Sequence, residues 1–369
     1  MTPKNCSIRL LEPTLMPWQP GQERSRQVAV LMSGGVDSSV TAYLLKTQGW
    51  NVLGVTMNCC AISSGGCCGM DAAIVCQQLG MPHYFVDVTE AFNEFVIEPF
   101  RQAYATGRTP NPCAECNAKL KFALVWDLLE QTFGISRLAT GHYARITKTD
   151  SHTYLGMAAD RSKDQSYFLY GIAKEKILCL LLPLSDFTKG QVRSIAAHAQ
   201  LKIADKPESM ELCFANQADY RAALTCPQIN QPGDILDMQG NRLAAHKGIA
   251  NYTLGQRQGL GYAGGKPLYV TKIDALSNTV VLGNREQAST ALVKAEQINV
   301  LIPEDFITGT KLFGKLRSYG KANPCIIIDI GDRLMTVQFE SPQFAPCPGQ
   351  KLVLYNSDNN IVAGGTITL

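Results

Sequence analysis

Val28-Ala-Val-Leu-Met-Ser33-Gly-Gly-Val-Asp37-Ser-Ser39 is the stretch on which the fold turns. Val28 to Met32 is a short apolar run of the kind that forms a buried parallel strand. It runs into Ser33, Gly34 and Gly35, which have little side chain to block a ligand. Ser38 and Ser39 open a helix with apolar positions at Val40, Leu44 and Leu45. Strand, glycine turn and helix N-terminus together make an anion site, because unpaired N–H groups and the positive end of the helix dipole face the turn. Adjacent glycines let backbone approach phosphate oxygens, and the hydroxyls at 33, 38 and 39 add donors. An ordinary tight strand-to-helix turn is the bland reading of the same residues.

The loop lacks the Gly-Lys-Ser/Thr of a kinase-type phosphate loop and the Gly-x-Gly-x-x-Gly of a dinucleotide site. Ser33-Gly-Gly-Val-Asp37-Ser resembles the pyrophosphate loop of ATP pyrophosphatases, which break ATP between its α and β phosphates. The resemblance implies adenylation of a substrate. Asp37 would then hold the Mg²⁺ on the leaving pyrophosphate, since a hard cation prefers carboxylate oxygen.

Downstream, helix 38–48 ends at Gly49, 51–58 reads as a strand, 71–79 as a helix and 83–88 as a strand. Residues 90–105 and 115–132 have helical spacing, 138–143 reads as a strand, and 174–182 and 188–200 as helices. This alternation predicts a doubly wound α/β domain with a parallel sheet, whose ligands gather at the carboxyl ends of strands. Met57 and Gly141 fall at such ends and could flank an adenine ring; Met57 is equally readable as plain core. From about 217 the texture becomes short alternating runs rich in Gly, Pro, Val and Ile, which is all-β. The expected organisation is a flexible extension (1–25), a catalytic domain (26–216), a small central β domain (217–284) and a C-terminal β-barrel (285–369).

With 369 residues, 46% hydrophobic and 18% charged, the composition is that of a folded protein carrying a net charge of only +3. The balance neither demands nor excludes nucleic acid. Between Arg101 and Lys148, however, seven Lys/Arg stand against three Asp/Glu. That excess is either a phosphate-facing surface or a solvated face. No apolar run reaches membrane-spanning length and residues 1–25 are not of signal-peptide type, so a membrane partner is not expected. Thirteen cysteines without such a signal point to a reducing, cytoplasmic setting with thiols used in chemistry or metal binding.

Further motifs follow in order: Gly107-Arg-Thr-Pro-Asn-Pro-Cys-Ala-Glu-Cys-Asn117, Ala139-Thr-Gly-His-Tyr-Ala-Arg145, Lys163-Asp-Gln-Ser-Tyr-Phe-Leu-Tyr170, Lys206-Pro-Glu-Ser-Met-Glu-Leu-Cys-Phe214, and His246-Lys-Gly-Ile with Tyr252-Thr-Leu-Gly-Gln-Arg-Gln-Gly-Leu260. From about residue 27 to 369 they resemble the bacterial tRNA-specific 2-thiouridylases, which convert the wobble uridine of certain tRNAs to 2-thiouridine. The resemblance implies that Leu31, Met32, Ser33, Gly34, Gly35, Val36, Asp37, Ser38, Met57 and Gly141 bind ATP. It implies that Asn111, Pro112 and Cys113 approach the target base, and that His142, Lys163, Asp164, Gln165, Arg317, Ser318 and Gln350 contact tRNA. Cys116 is then the nucleophile and Cys213 carries a persulfide, with a Cys116–Cys213 disulfide left after transfer. The implied partners are tRNA with a wobble uridine and a sulfur donor, either a protein (a cysteine desulfurase or relay) or sulfide.

The chemistry agrees with those roles. A uracil C2 carbonyl is a poor electrophile, and transfer of AMP onto its oxygen makes that oxygen a leaving group. A thiolate can release the persulfide sulfur by attacking the sulfur that bears it. A lone cysteine is otherwise a small buried hydrophobe, and a lone histidine such as His142 a satisfied structural one. The chain departs from the family at Cys113, where many members have Asp, and at Arg317-Ser318, where Arg-Tyr is common and Tyr319 follows one position late. Cys113, Cys116 and Cys213 could alternatively hold an iron–sulfur cluster that presents external sulfide. Cys59, Cys60, Cys67 and Cys68 fit no zinc spacing well and read as a loop with incidental thiols. Two competing functions are a pyrophosphate-loop synthetase acting on a small molecule, which has no use for Cys116 and Cys213, and a non-catalytic RNA-binding protein, which has no use for the loop.

Overall fold

The computed structural model describes residues 7–21, 23–59, 68–207, 212–214, 224, 227–262 and 264–368. Cys60, Cys67, the Cys68 side chain and residues 208–211 of the Lys206–Phe214 motif lie outside the described residues. The chain divides into two compact units. The first holds Met1–Phe95, Ala114–Glu211 and Asn359–Ile361; the second holds Val96–Cys113, Leu212–Asp358 and Val362–Leu369.

The first unit is built on β1 (Arg9–Pro13), β2 (Gln27–Leu31), β3 (Asn51–Asn58), β4 (His83–Asp87), β5 (Leu138–Ala139), β6 (Ala144–Lys148), β7 (Thr153–Met157) and β8 (Leu180–Leu181). Six of these form one sheet in the order β1-β4-β3-β2-β5-β8, while β6 and β7 make a separate hairpin. β2 is buried along its whole length, as a strand with helices on both faces must be. The chain leaves β2 towards β3 and β4 on one side and reaches β5 and β8 on the other. The order therefore reverses beside β2, which makes its carboxyl end a topological switch point where ligands bind in such sheets.

The helix Val36–Thr47 packs Val36, Val40, Ala42 and Leu45 onto Val28 and Val30 of β2. Truncating Leu45 to Ala would cost about 2–5 kcal/mol. Gly49, at φ +81°, ends this helix: its N–H bonds Lys46 O while Trp50 N–H bonds Leu45 O, closing the last turn.

Three elements differ from the expectation. Arg9–Pro13 lies in the stretch read as a flexible extension but pairs antiparallel with β4, Leu10 opposite Val86. An edge position tolerates its proline, which cannot donate to a ladder. The strand expected over 138–143 stops at Ala139, because Gly141 and His142 turn away to pack elsewhere. The helix expected over 174–182 is only Lys174–Ile177, followed by β8, whose apolar Leu180-Leu181 pair suits strand as well as helix.

In the second unit, β9 (Gly233–Leu236), β10 (Arg242–His246), β11 (Tyr269–Asp274) and β12 (Thr279–Gly283) form a mixed sheet in the order β10-β9-β12-β11. Its core holds Ile235, Val270, Val280 and Leu282 together with Phe100 and Tyr104. The strands β13 (Ser289–Val300), β14 (Lys311–Lys315), β15 (Asn323–Ile330), β16 (Leu334–Phe344), β17 (Lys351–Tyr355) and β18 (Ile361–Thr368) close into a barrel. Closure leaves no unpaired strand edge. Among the described residues no helix is long and apolar enough to cross a membrane.

Candidate active site

Gly34, at φ +69°, bends the chain out of β2, and Gly35 caps the helix without a side chain of its own. The serines complete the turn. Ser33 N–H donates to Ser38 Oγ at 3.1 Å, and the Ser38 and Ser39 hydroxyls both donate to Gly35 O, at 3.2 and 2.9 Å. Lys206 reaches the loop from the other side, donating to Gly34 O at 3.1 Å while pairing with Asp71. These bonds occupy loop carbonyls with donors, which suits a turn whose N–H groups are to face an anion.

Asp37 sits in the first turn of the helix, and its carboxylate is already held. Lys189 Nζ donates to both oxygens at 2.8 Å, and the Tyr143 hydroxyl donates to Oδ1 at 2.9 Å. Lys189 begins a helix that Thr188 and Gln191 cap reciprocally, so the lysine springs from a fixed point. Gly141 is wedged against the same turn: a Cβ there would stand 2.7 Å from Ser38 N and 2.8 Å from Asp37 C. Its smallness is thus explained by contact with the loop helix. Met57, half-buried near the end of β3, lies on the other side of β2 in the sheet.

Residues expected to touch tRNA prove to have partners in the protein. Gln165 takes the Tyr143 N–H on its Oε1 and donates its own N–H to Tyr143 O, fixing the residue that bonds Asp37. The Asp164 carboxylate accepts from Ala158 N, Ser166 N and Ser166 Oγ, which shapes the turn. His142 Nδ1 lies 2.8 Å from Thr140 Oγ1, and burial, with a contribution from Lys121, pushes its pKa down to about 3. The imidazole is neutral at physiological pH, so it can take part in a hydrogen bond but carries no charge. Lys163 stands at the start of the Asp164 turn.

In the second unit, Gln350 Nε2 donates to Thr109 O and Pro110 O at 3.1 and 3.0 Å, and Thr109 N–H donates to Pro348 O. Gly349, at φ +95°, leaves no room for a Cβ, which would meet Thr109 O at 2.9 Å. The segment entering Asn111-Pro112-Cys113 is therefore seated on the barrel. Asn111 and Pro112 are buried and Cys113 is exposed. Arg317 donates to Ala345 O at 2.8 Å and to Cys347 Sγ, beside half-buried Ser318 and fully exposed Tyr319.

Cys116 begins a π-helical segment, Cys116–Val125, a wide winding frequent at functional sites. It is buried, at 9% exposure, and burial raises its thiol pKa although Lys121 pulls the other way. Cys213 is exposed, flanked by Leu212 and Phe214, which pack against the core of the second unit; Phe214 meets Phe100 edge-on at 5.2 Å. Among the described residues no three His, Cys, Asp or Glu side chains are gathered as metal ligands. The Asp37 carboxylate is of the oxygen type that a Mg²⁺ carried in on triphosphate would take. Sequence reasoning missed Tyr143 and Lys189, and quoted Lys206 without a role. Lys189 lies far along the chain from Asp37, and no local pattern marks it.

A glycine turn at the switch point of a parallel sheet, with no Walker lysine and with a carboxylate in the first helical turn, defines a nucleotide-activating ATPase of the pyrophosphate-loop class. Residues 26–217 match the model of the tRNA methyl transferase HUP domain, 224–284 that of the tRNA methyl transferase PRC-barrel domain, and 291–367 that of the aminomethyltransferase beta-barrel domain. The chain is 41% identical over 348 residues to the tRNA-specific 2-thiouridylase MnmA of Picosynechococcus sp., covering 92% of this chain and 98% of that protein. It is 40% identical to the same-named protein of Acetivibrio thermocellus, covering 93% of this chain and 99% of that one, and 43% identical to that of a Synechococcus sp., covering 93% and 94%. The chain belongs to the family of the tRNA-specific 2-thiouridylases.

Proposed function

We propose that this chain is an ATP-dependent tRNA-uridine 2-sulfurtransferase that makes 2-thiouridine at the wobble position, working in the cytoplasm. The observation that carries the reading is the Ser33–Ser38 loop at the switch point, in a chain matched almost end to end by relatives of that name. The loop N–H groups hold the phosphates of ATP, and Lys189, freed from Asp37, supplies a cation to them. Mg²⁺ held by Asp37 and the phosphates would neutralise the charge that develops on the leaving pyrophosphate. Met57 and Gly141 border the adenine side of the crevice.

The uridine C2 oxygen attacks the α-phosphorus, forming an O–P bond as pyrophosphate leaves. Asn111, Pro112 and Cys113 sit on the segment held by Gln350, and we assign them to the target base. Cys213, loaded as a persulfide by a sulfur-donor protein, attacks C2 through its outer sulfur. The Cys116 thiolate attacks the inner sulfur, the S–S bond of the persulfide breaks, and AMP leaves with the former C2 oxygen. Two thiols are oxidised to a Cys116–Cys213 disulfide and the transferred sulfur is reduced to the thiocarbonyl level, so electrons balance. An external thiol then reduces the disulfide. His142, Lys163, Arg317 and Ser318 remain assigned to tRNA, with Asp164, Gln165 and Gln350 holding the contacting segments in place.

The test is incubation with tRNA, ATP and a persulfide donor, reading nucleotides and tRNA nucleosides by mass spectrometry. AMP, pyrophosphate and 2-thiouridine are expected together. ADP as the product overturns the adenylation step. Full activity of Cys213→Ser with sulfide as donor overturns the persulfide step.

A further inference from the structure

The Tyr252–Leu260 motif was singled out in the sequence and has no part in the chemistry above. It opens a loop whose described residues, 252–262 and 264–268, are held by several local contacts. Gly255, Gly259, Gly261 and Gly265 all take positive φ, between 70° and 81°. Gln256 takes the Thr253 N–H on its Oε1 and donates Nε2 to Gln258 O. Gly255 N–H and Val270 N–H tie both ends of the loop together, to Val270 O and Gln256 O. Buried Tyr252 donates its hydroxyl to Leu260 O at 3.2 Å. The Tyr262 ring is seated directly on Gly264, where a Cβ would meet it at 2.5 Å.

This framework surrounds a cavity of about 330 Å³ lined by Arg257, Tyr262, Gly264, Gly265 and Lys266, among others. Arg257 and Lys266 make no ion pair or side-chain hydrogen bond with any described residue, and none of the described residues that line the cavity is a carboxylate. Two unpaired cations, backbone of two successive glycines and one aromatic ring thus face a single concavity. A guanidinium and an ammonium beside glycine backbone match the oxygens of a phosphate group, and an exposed aromatic ring suits a neighbouring base or ribose.

We propose that this cavity is a phosphate-binding subsite, filled by a backbone phosphate of the RNA substrate. The inference rests on the tRNA reading above, and it extends the RNA contact surface to the central β domain. A free phosphate anion shares the same chemistry, and the test separates the two.

The test compares wild type with an Arg257→Gln, Lys266→Gln double variant in tRNA binding across a series of salt concentrations. Loss of two phosphate contacts should weaken binding about tenfold near physiological salt and flatten the slope of log K against log salt by about 1–2. Tyr262→Ala, which keeps both charges, should weaken binding while leaving the slope unchanged. In parallel, inorganic phosphate is titrated while the Gly264 and Gly265 amide resonances are followed. Equal affinity and slope in wild type and double variant overturn the subsite. Phosphate-induced shifts lost in the double variant, with tRNA affinity unaltered, overturn the RNA assignment in favour of a free anion. Failure of the wild type itself to bind tRNA would strike the functional reading instead.

Discussion

The ammonium of Lys189 stands 2.8 Å from each carboxylate oxygen of Asp37. The side that a metal-bearing triphosphate needs is thus covered by a cation from a helix far along the chain. Phosphate binding asks Lys189 to exchange a carboxylate for a phosphate oxygen, at little net electrostatic cost. Lys189→Met should therefore raise the KM for ATP about 10–100-fold, the range of one charge-assisted hydrogen bond. Exchange of labelled pyrophosphate into ATP, with tRNA present, reads this directly. An unaltered KM would remove Lys189 from the phosphate site.

Gly141→Ala places a Cβ within 2.8 Å of the Asp37 and Ser38 backbone, so the loop helix must shift. Overpacking of this kind costs about 1–3 kcal/mol. We expect reduced ATP affinity and a lower melting temperature, with tRNA affinity nearly retained. Parallel loss of tRNA binding would mean that the residue acts on more than the loop.

Gln350 is read as holding Thr109 and Pro110. Gln350→Glu keeps shape but loses the donor, so it should resemble Gln350→Ala and cost about 1–3 kcal/mol of stability. Thiolation should fall in both, while the salt slope of tRNA binding stays that of wild type. A slope lowered in Gln350→Ala would assign the side chain to a phosphate instead.

Burial keeps Cys116 protonated at neutral pH, whereas Cys113 and Cys213 are exposed. Alkylation mapped by mass spectrometry should mark Cys113 and Cys213 well before Cys116. Because its pKa is raised, Cys116 labelling should go on increasing with pH beyond the range of an ordinary thiol. Early labelling of Cys116 at pH 7 would contradict its burial.

His83 is fully buried between Thr14 and Thr56, and burial lowers its pKa to about 4. The unfolded chain then binds a proton near pH 6.5 that the folded chain refuses. Stability is complete above that pH and is lost as pH falls from about 6.5 towards 4. Between pH 7 and 5 this one group contributes a loss of about 2 kcal/mol. Urea midpoints at the two pH values check it, and His83→Gln should flatten the dependence.

The nucleotide loop was legible because strand, glycines and helix are consecutive and each has a local signature. Asn51–Asn58 and the helix after Ser38 follow from apolar period and glycine stops in the same way. The groups that hold the loop were not legible: Lys189 and Tyr143 reach Asp37, and Lys206 reaches Gly34 O, only after the sheet assembles, and a lysine near a helix start has no mark of its own. Leu180-Leu181 shows the opposite difficulty, since two leucines carry no period and the parallel pairing with β5 alone makes them a strand. Arg9–Pro13 reads as irregular from its prolines and charges, yet β4 offers it a free edge.

The seat that Pro348-Gly-Gln350 provides for Thr109 and Pro110 has a consequence for biosynthesis. A ribosome delivers the chain from the amino end, and domains fold as they emerge. The nucleotide loop and its sheet are complete long before residue 348 is made. The segment leading to Cys113 gains its last support only when the final strands emerge and the barrel closes. A nascent or truncated chain can thus assemble the sheet and its glycine loop while the segment that carries Thr109 and Pro110 is still without its seat.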